Sequence, residues 1–145
     1  VFFADSFLTP FTAFLTTLGV VIAAWGGVML ADIALRRKDY DEPSLFTPSG
    51  RYGSVNWGAV ASLIVGSLVG WGLVVNASAS WLSWQGYLLG PLGGREGDWA
   101  GANIGILLAM VVGFVGYWAT SAGRVREQEK LASRTYAQGA DEGEQ

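Results

Sequence analysis

The charges of this chain are confined to a few short stretches. No Lys, Arg, Asp or Glu occurs from Ser6 to Ala31, from Gly53 to Gln85, or from Trp99 to Gly123. About 20 consecutive apolar residues are enough for a helix to cross the hydrocarbon core of a bilayer. Backbone groups in that core must be satisfied within the segment, which selects a helix for each stretch. Three charge-free stretches separated by charged connections therefore predict an all-α membrane protein with three transmembrane helices. The predicted spans are about 7–35, about 55–75 and about 99–121. Residues 1–127 then make one transmembrane portion, and 128–145 a cytoplasmic tail. The tail past Tyr136, rich in Gly, Asp and Glu, is expected to be disordered.

Composition narrows the function. Charged residues make up 14% of the chain, against roughly a quarter in soluble domains. The net charge of −3 arises largely from Asp141, Glu142 and Glu144 and gives no reason to expect a nucleic-acid partner. Neither Cys nor His is present. That removes thiol chemistry, the usual zinc, haem and iron–sulfur ligands, and the commonest general base. With no paired intramembrane carboxylates either, an enzyme is not expected.

Orientation follows from the basic residues, which are retained in cytoplasmic loops. Arg36, Arg37, Lys38 and Arg51 lie between spans one and two, and Arg124, Arg126, Lys130 and Arg134 follow span three. Arg95 alone lies between spans two and three. Alternating helices then run span one inward, span two outward and span three inward, with a cytoplasmic C-terminus. Trp57, Trp99 and Trp118, near span ends, suit interfacial anchors. The chain opens Val1-Phe2-Phe3, with neither Met nor a basic region before the first apolar run, so it is expected to be the C-terminal portion of something longer. The outer connection, with Trp81, Leu82, Trp84, Tyr87, Leu88 and Leu89 before Gly90-Pro91, suits a short amphipathic segment in the interface.

In lipid, small residues mark close approach of helix backbones. Span one carries Gly19, Ala23, Gly27 and Ala31 at intervals of four. Span two carries Ser62, Gly66 and Gly70, and span three Gly101, Gly105, Ala109 and Gly113. These rows are the expected packing faces. Phe7, Phe11, Phe14 and Leu18 lie on roughly the opposite side of span one. They either face lipid or close over a central pathway as gate residues. Pro10 lies among them. It sits in the first helical turn, where its missing N–H costs little, or it marks a weak point if the helix begins earlier. Asp32 is the most chemically suggestive residue, since an intramembrane carboxylate can relay protons or bind a cation. Its position one turn before Arg36 favours a local interfacial ion pair, of the order of 0.2–0.5 kcal/mol if exposed. Asn76-Ala77-Ser78 matches a glycosylation sequon by pattern.

The run Gly26-Gly27-Val28-Met29-Leu30-Ala31-Asp32-Ile33-Ala34-Leu35-Arg36-Arg37 resembles the end of the tenth helix in the nucleobase:cation symporter-1 family. Lys38-Asp39-Tyr40-Asp41, Leu45-Phe46, Gly50-Arg51-Tyr52 and Asn56-Trp57 with Ala59 and Ala61 follow in the order of that family's next loop and helix. Trp81-Leu82-Ser83-Trp84-Gln85-Gly86-Tyr87 is similar to the cytosine/purine permease branch. The family's Asp-Tyr is Asp32-Ile33 here, and a Gly-Pro common earlier in that helix is absent. The resemblance covers about Phe7 to Glu127. It implies the last three helices of a twelve-helix inverted-repeat transporter. It also implies import of a nucleobase-like small molecule with Na⁺ or H⁺, both bound by helices outside this chain. No substrate-binding, cation-binding or cofactor residue is therefore carried over, and the expected partners of this portion are the bilayer and the rest of the transporter. Helix ten would supply the outer gate. The rival expectation is a self-contained three-helix accessory or structural membrane subunit.

Overall fold

The computed structural model describes residues 2–36, 55–76, 79–94 and 102–142, with side chains between 7 and 131. The element order is α1 (Phe2–Leu35), α2 (Trp57–Gly72), a 3₁₀ turn (Ser80–Leu82) and α3 (Ile104–Glu142). Two of the helices, over Phe7–Leu35 and Ile104–Leu131, are long and apolar enough to cross a membrane; α2 is a shorter apolar helix. The loop Asp39–Ser54, Arg37, Lys38, Arg95, Trp99 and Gly101 lie outside the described residues, as does the Ala77-Ser78 part of the sequon.

α3 packs most extensively against α1 and nearly as much against α2, while α1 and α2 touch least. The contacts are made backbone to backbone. A Cβ added at Gly27 of α1 would fall on the Met110 carbonyl of α3, and one at Gly113 of α3 on the Ala24 carbonyl of α1. Gly70 of α2 and Gly105 of α3 each stand against the other's carbonyl, and a Cβ at Gly66 would meet the Ala109 carbonyl at 2.9 Å. Around these contacts Val20, Ala24, Val74 and Ala109 form one buried cluster and Val28, Ala31 and Tyr117 a second. Such approach suits a medium without hydrophobic drive between helices, where packing is gained by bringing main chains together.

The expected row on α1 needs correction. Gly27 and Ala31 are buried, but Gly19 and Ala23 are only half-buried. A Cβ at Gly19 would meet just Ile106 Cδ1 at 3.9 Å. At 3.6 residues per turn each step of four overshoots by about 40°. A strict row of four therefore drifts toward the edge of the contact: Ala23 still packs against the Val20 cluster from its side, Gly19 stands looser, and the buried line is Ala13, Val20, Ala24, Gly27, Val28 and Ala31.

The helix limits also differ from expectation. α2 has 16 residues, about 24 Å at 1.5 Å per residue, and stops at Gly72 rather than near Val75. It can stop early because the next segment supplies donors to its orphan carbonyls. Gly86 N–H donates to the Trp71 carbonyl (2.9 Å), Leu88 N–H to the Gly72 carbonyl (2.9 Å), and the Tyr87 hydroxyl to the Leu68 carbonyl. Gly86 has a φ of 75°, a backbone state open to Gly at little cost. Residues 79–94 thus cap α2 as a folded unit, with Leu82 buried on Ala13 and Ala79 and Trp84 edge-on to Trp71 at 5.7 Å. α3 starts at Ile104 and continues to Glu142, beyond the point where a disordered tail was expected. Its polar part, Glu127-Gln128-Glu129-Lys130-Leu131-Ala132, consists of strong helix formers that extend the helix already nucleated by the apolar part.

Candidate functional site

Asp32 makes the local pair with Arg36 that its spacing suggests, and a second bond across the bundle. Arg36 Nε donates to its Oδ2 at 3.0 Å, and the Tyr117 hydroxyl of α3 donates to its Oδ1. Tyr117 in turn accepts from Asn56 Nδ2 at 3.3 Å. Asn56 is also the N-cap of α2, its Oδ1 accepting from Gly58 N–H (3.1 Å) and Ala59 N–H (3.3 Å). Arg124 Nη1 reaches the same Oδ1 at 3.3 Å, and Arg36 Nη1 reaches Gln128 Oε1 at 3.4 Å. One polar node therefore ties α1, α2 and α3 together at their basic end. A carboxylate so placed has its lone pairs engaged by a cation and a phenol, which is how a buried charge is kept at tolerable cost. The arrangement holds three helices in one rotation relative to one another.

Tyr117 was missed as a partner of Asp32, and Asn56 as a partner of Tyr117; both contacts are made across the bundle rather than along a helix. A signal existed. Both residues lie near the end of a charge-free span, at the same level as Asp32, where a polar group without a partner would be expensive.

A second, uncharged set lies about 22 Å away along α1, counting from Asp32 to Thr17. Trp71 Nε1 donates to the Thr17 carbonyl at 3.0 Å, Gln85 Nε2 to Thr17 Oγ1 at 3.0 Å, and Asn76 Nδ2 to the Ala13 carbonyl at 3.0 Å. Thr17 Oγ1 itself donates to the Ala13 carbonyl at 2.9 Å.

The gate candidates stand apart from both sets. Phe7, Phe11, Phe14 and Leu18 are between 42% and 63% exposed, so no other described element of this chain covers them. Phe7 and Phe11 stack with ring centroids 5.4 Å apart. The exposed side continues through Leu8, Leu15, Ile22, Trp25, Met29 and Ile33. α1 begins at Phe2, so Pro10 is an interior helical position and not part of the first turn. It removes one backbone hydrogen bond in the arm of α1 that extends beyond the cap. Among the described residues, no group of three or more His, Cys, Asp or Glu could hold a metal ion.

A sequence model of a permease family, described as permeases for cytosine/purines, uracil, thiamine and allantoin, matches residues 3–90. The match takes in α1, α2 and nearly all of the cap, which is more than half of the chain. The chain belongs to this permease family. No curated protein and no solved structure matches it. The permease match ends before α3, the helix that supplies Tyr117 to the node and the carbonyls under Gly27 and Gly66.

Proposed function

We propose that this permease chain is the C-terminal part of a secondary active transporter that imports a nucleobase or related heterocycle with Na⁺ or H⁺. The observation that carries the reading is the family match over α1, α2 and the cap. The exposed bulky side of α1 supports it, because a helix with one tightly packed side and one uncovered aromatic side suits a border between a scaffold and a pathway. In this reading the substrate and the coupling ion bind on helices outside the chain, near the bilayer midplane. The bundle holds the basic end of α1 fixed, and its arm around Pro10 works as the outer gate. The C-terminus is cytoplasmic, with Arg51 and Arg126 inside and Arg95 outside.

Uptake competition tests the proposal, using the full-length protein and a panel of labelled nucleobases under imposed Na⁺ and H⁺ gradients. Gradient-dependent uptake that one nucleobase class competes away is the expected outcome. An intact membrane protein with no uptake under either gradient, and no coding sequence for further spans upstream, would leave the accessory-subunit reading instead.

A further inference from the structure

One turn of α1 shares its main-chain bonds with side chains. Asn76 Nδ2 donates to the Ala13 carbonyl at 3.0 Å, and Thr17 Oγ1 donates to the same carbonyl at 2.9 Å. In an α-helix that carbonyl also closes the ladder with the Thr17 N–H. Three donors then converge on an oxygen with two lone pairs, so at least two of them share one. Thr16 Oγ1 adds a further donor at the Thr12 carbonyl, 3.0 Å away. Side chains that enter the ladder in this way loosen it and bend helices. One turn earlier, Pro10 has no N–H to give to the Ser6 carbonyl. The ladder of α1 is therefore weakest between Ser6 and Thr17. The same turn is where the bundle takes hold. Trp71 Nε1 donates to the Thr17 carbonyl and Gln85 Nε2 to Thr17 Oγ1, each at 3.0 Å, and Ala13 is buried with Ala79 and Leu82. Residues 7–12, just before it, are all exposed among the described residues.

We propose that α1 pivots at Ala13–Thr17 and that Asn76 is the positioning residue that lowers the cost of bending there. When the arm tilts, the Ala13 carbonyl draws away from the Thr17 N–H. It stays bonded, because Asn76 donates from the segment after α2, outside the bending helix, and Thr17 Oγ1 donates from the far side of the bend. The freed Thr17 N–H has the Thr12 and Phe14 carbonyls as neighbouring acceptors, the local π and 3₁₀ adjustments that membrane helices use at such points. Trp71 and Gln85 hold Thr17, so the part of α1 after it stays with the bundle and the part before Ala13 moves. The pivot rests on the reading of the arm as a gate and deepens it: the stiffness of the arm is set by Asn76 and the cap, from outside α1.

Spin-label distances in the full-length protein, reconstituted in lipid nanodiscs without substrate, provide the test. One pair joins Leu8 on the arm to Ser83 in the cap, and a control pair joins Ile22, beyond the pivot, to Ser83; all three positions are exposed. The Leu8 pair should give two distances and the Ile22 pair one. Asn76→Leu, which keeps the bulk and removes the donor, should lower the bent population about fivefold, the effect of one hydrogen bond. Asn76→Gln, which can still donate, should restore part of it. If Asn76→Leu does not fold, Thr17→Val, which removes the other side-chain donor to Ala13, should lower the bent population in its place. A single Leu8 distance in the wild type, or equal spread in the Leu8 and Ile22 pairs, would mean that α1 is a rigid rod and overturn the pivot. A lowered melting temperature in Asn76→Leu with an unchanged Leu8 distribution would make Asn76 a structural tie and overturn its role. Failure of nucleobase uptake with these distances as expected counts against the transporter reading only.

Discussion

At the basic end, a carboxylate, two guanidiniums, a phenol and carboxamides join three helices. At the capped end an indole, two carboxamides and a threonine hydroxyl tie α1 to α2 and to the segment that follows it, with no charge among them. The difference is one of target as well as charge. Most bonds at the basic end run from side chain to side chain between helices, so they set how the helices are rotated against one another. Those at the capped end run mainly to main-chain carbonyls of α1 and α2, so they finish the end of α2 and fasten it to the backbone of α1. In a bilayer both tasks are necessary, because polar groups left over at either level find no water in the core. The basic end can use charge because it lies beside residues suited to the aqueous surface, and the capped end, set among tryptophans and leucines, uses neutral groups.

The largest expected effect comes from the middle, which both ends depend on. Gly27→Leu should lower stability by about 3 kcal/mol or more, since the obstacle is the Met110 carbonyl, which cannot change rotamer. Gly19→Leu, on the same helix but off the contact, should cost under about 0.5 kcal/mol. Thermal melting followed by circular dichroism in detergent separates them. Equal melting temperatures would mean that the glycine contacts between α1 and α3 do not hold the bundle.

Smaller effects should distinguish the ends. Asp32→Asn should cost about 1–3 kcal/mol, because Arg36 loses its counter-charge, and Tyr117→Phe about 1 kcal/mol. These exceed the value for an exposed pair along one helix. Their effects should not add, as both belong to one network. Thr17→Val should cost about 1 kcal/mol by removing the acceptor of Gln85 Nε2, and should act locally. Amide exchange should speed up over residues 79–94 in Thr17→Val and around Asn56 in Tyr117→Phe. If each variant loosens both ends alike, the bundle responds as one unit and the distinction between its ends is lost.

The smallest effects on stability are expected where nothing in this chain makes contact. Phe11→Ala and Phe14→Ala should change melting by no more than about 0.5 kcal/mol. In the full transporter they should instead shift the balance of outward-open and occluded states, and substrate affinity through it. Distance distributions between α1 and the preceding helices, with and without substrate, measure this. Distributions identical to wild type in both variants would assign these rings to lipid.

Much of this was legible in the residue order. The absence of charge over long stretches predicts helices, because only a helix satisfies its own backbone without water. The limits of α1 at Leu35 follow from where charge resumes, and the family likeness is carried by Asp32, Arg36 and the Trp81–Tyr87 run. Gly66, Gly70, Gly105 and Gly113 could be singled out because a missing side chain is visible in any sequence. What each faces could not, since a sequence gives angular position along one helix and not the rotation of its neighbour. The same limit hid Tyr117 behind Arg36 as a partner of Asp32. A local partner is found by counting four residues, whereas a partner 85 residues away is found only once α3 has been placed.

The sequence by itself determined the helical class, the basic end and the membership in a permease family, because these depend on composition and order along the chain. Only the tertiary structure decided that α2 ends at Gly72, that Asp32 joins α3 through Tyr117, and that Gly27 faces the Met110 carbonyl. Each of those depends on which groups meet across helices, and such distances exist only when the chain is folded.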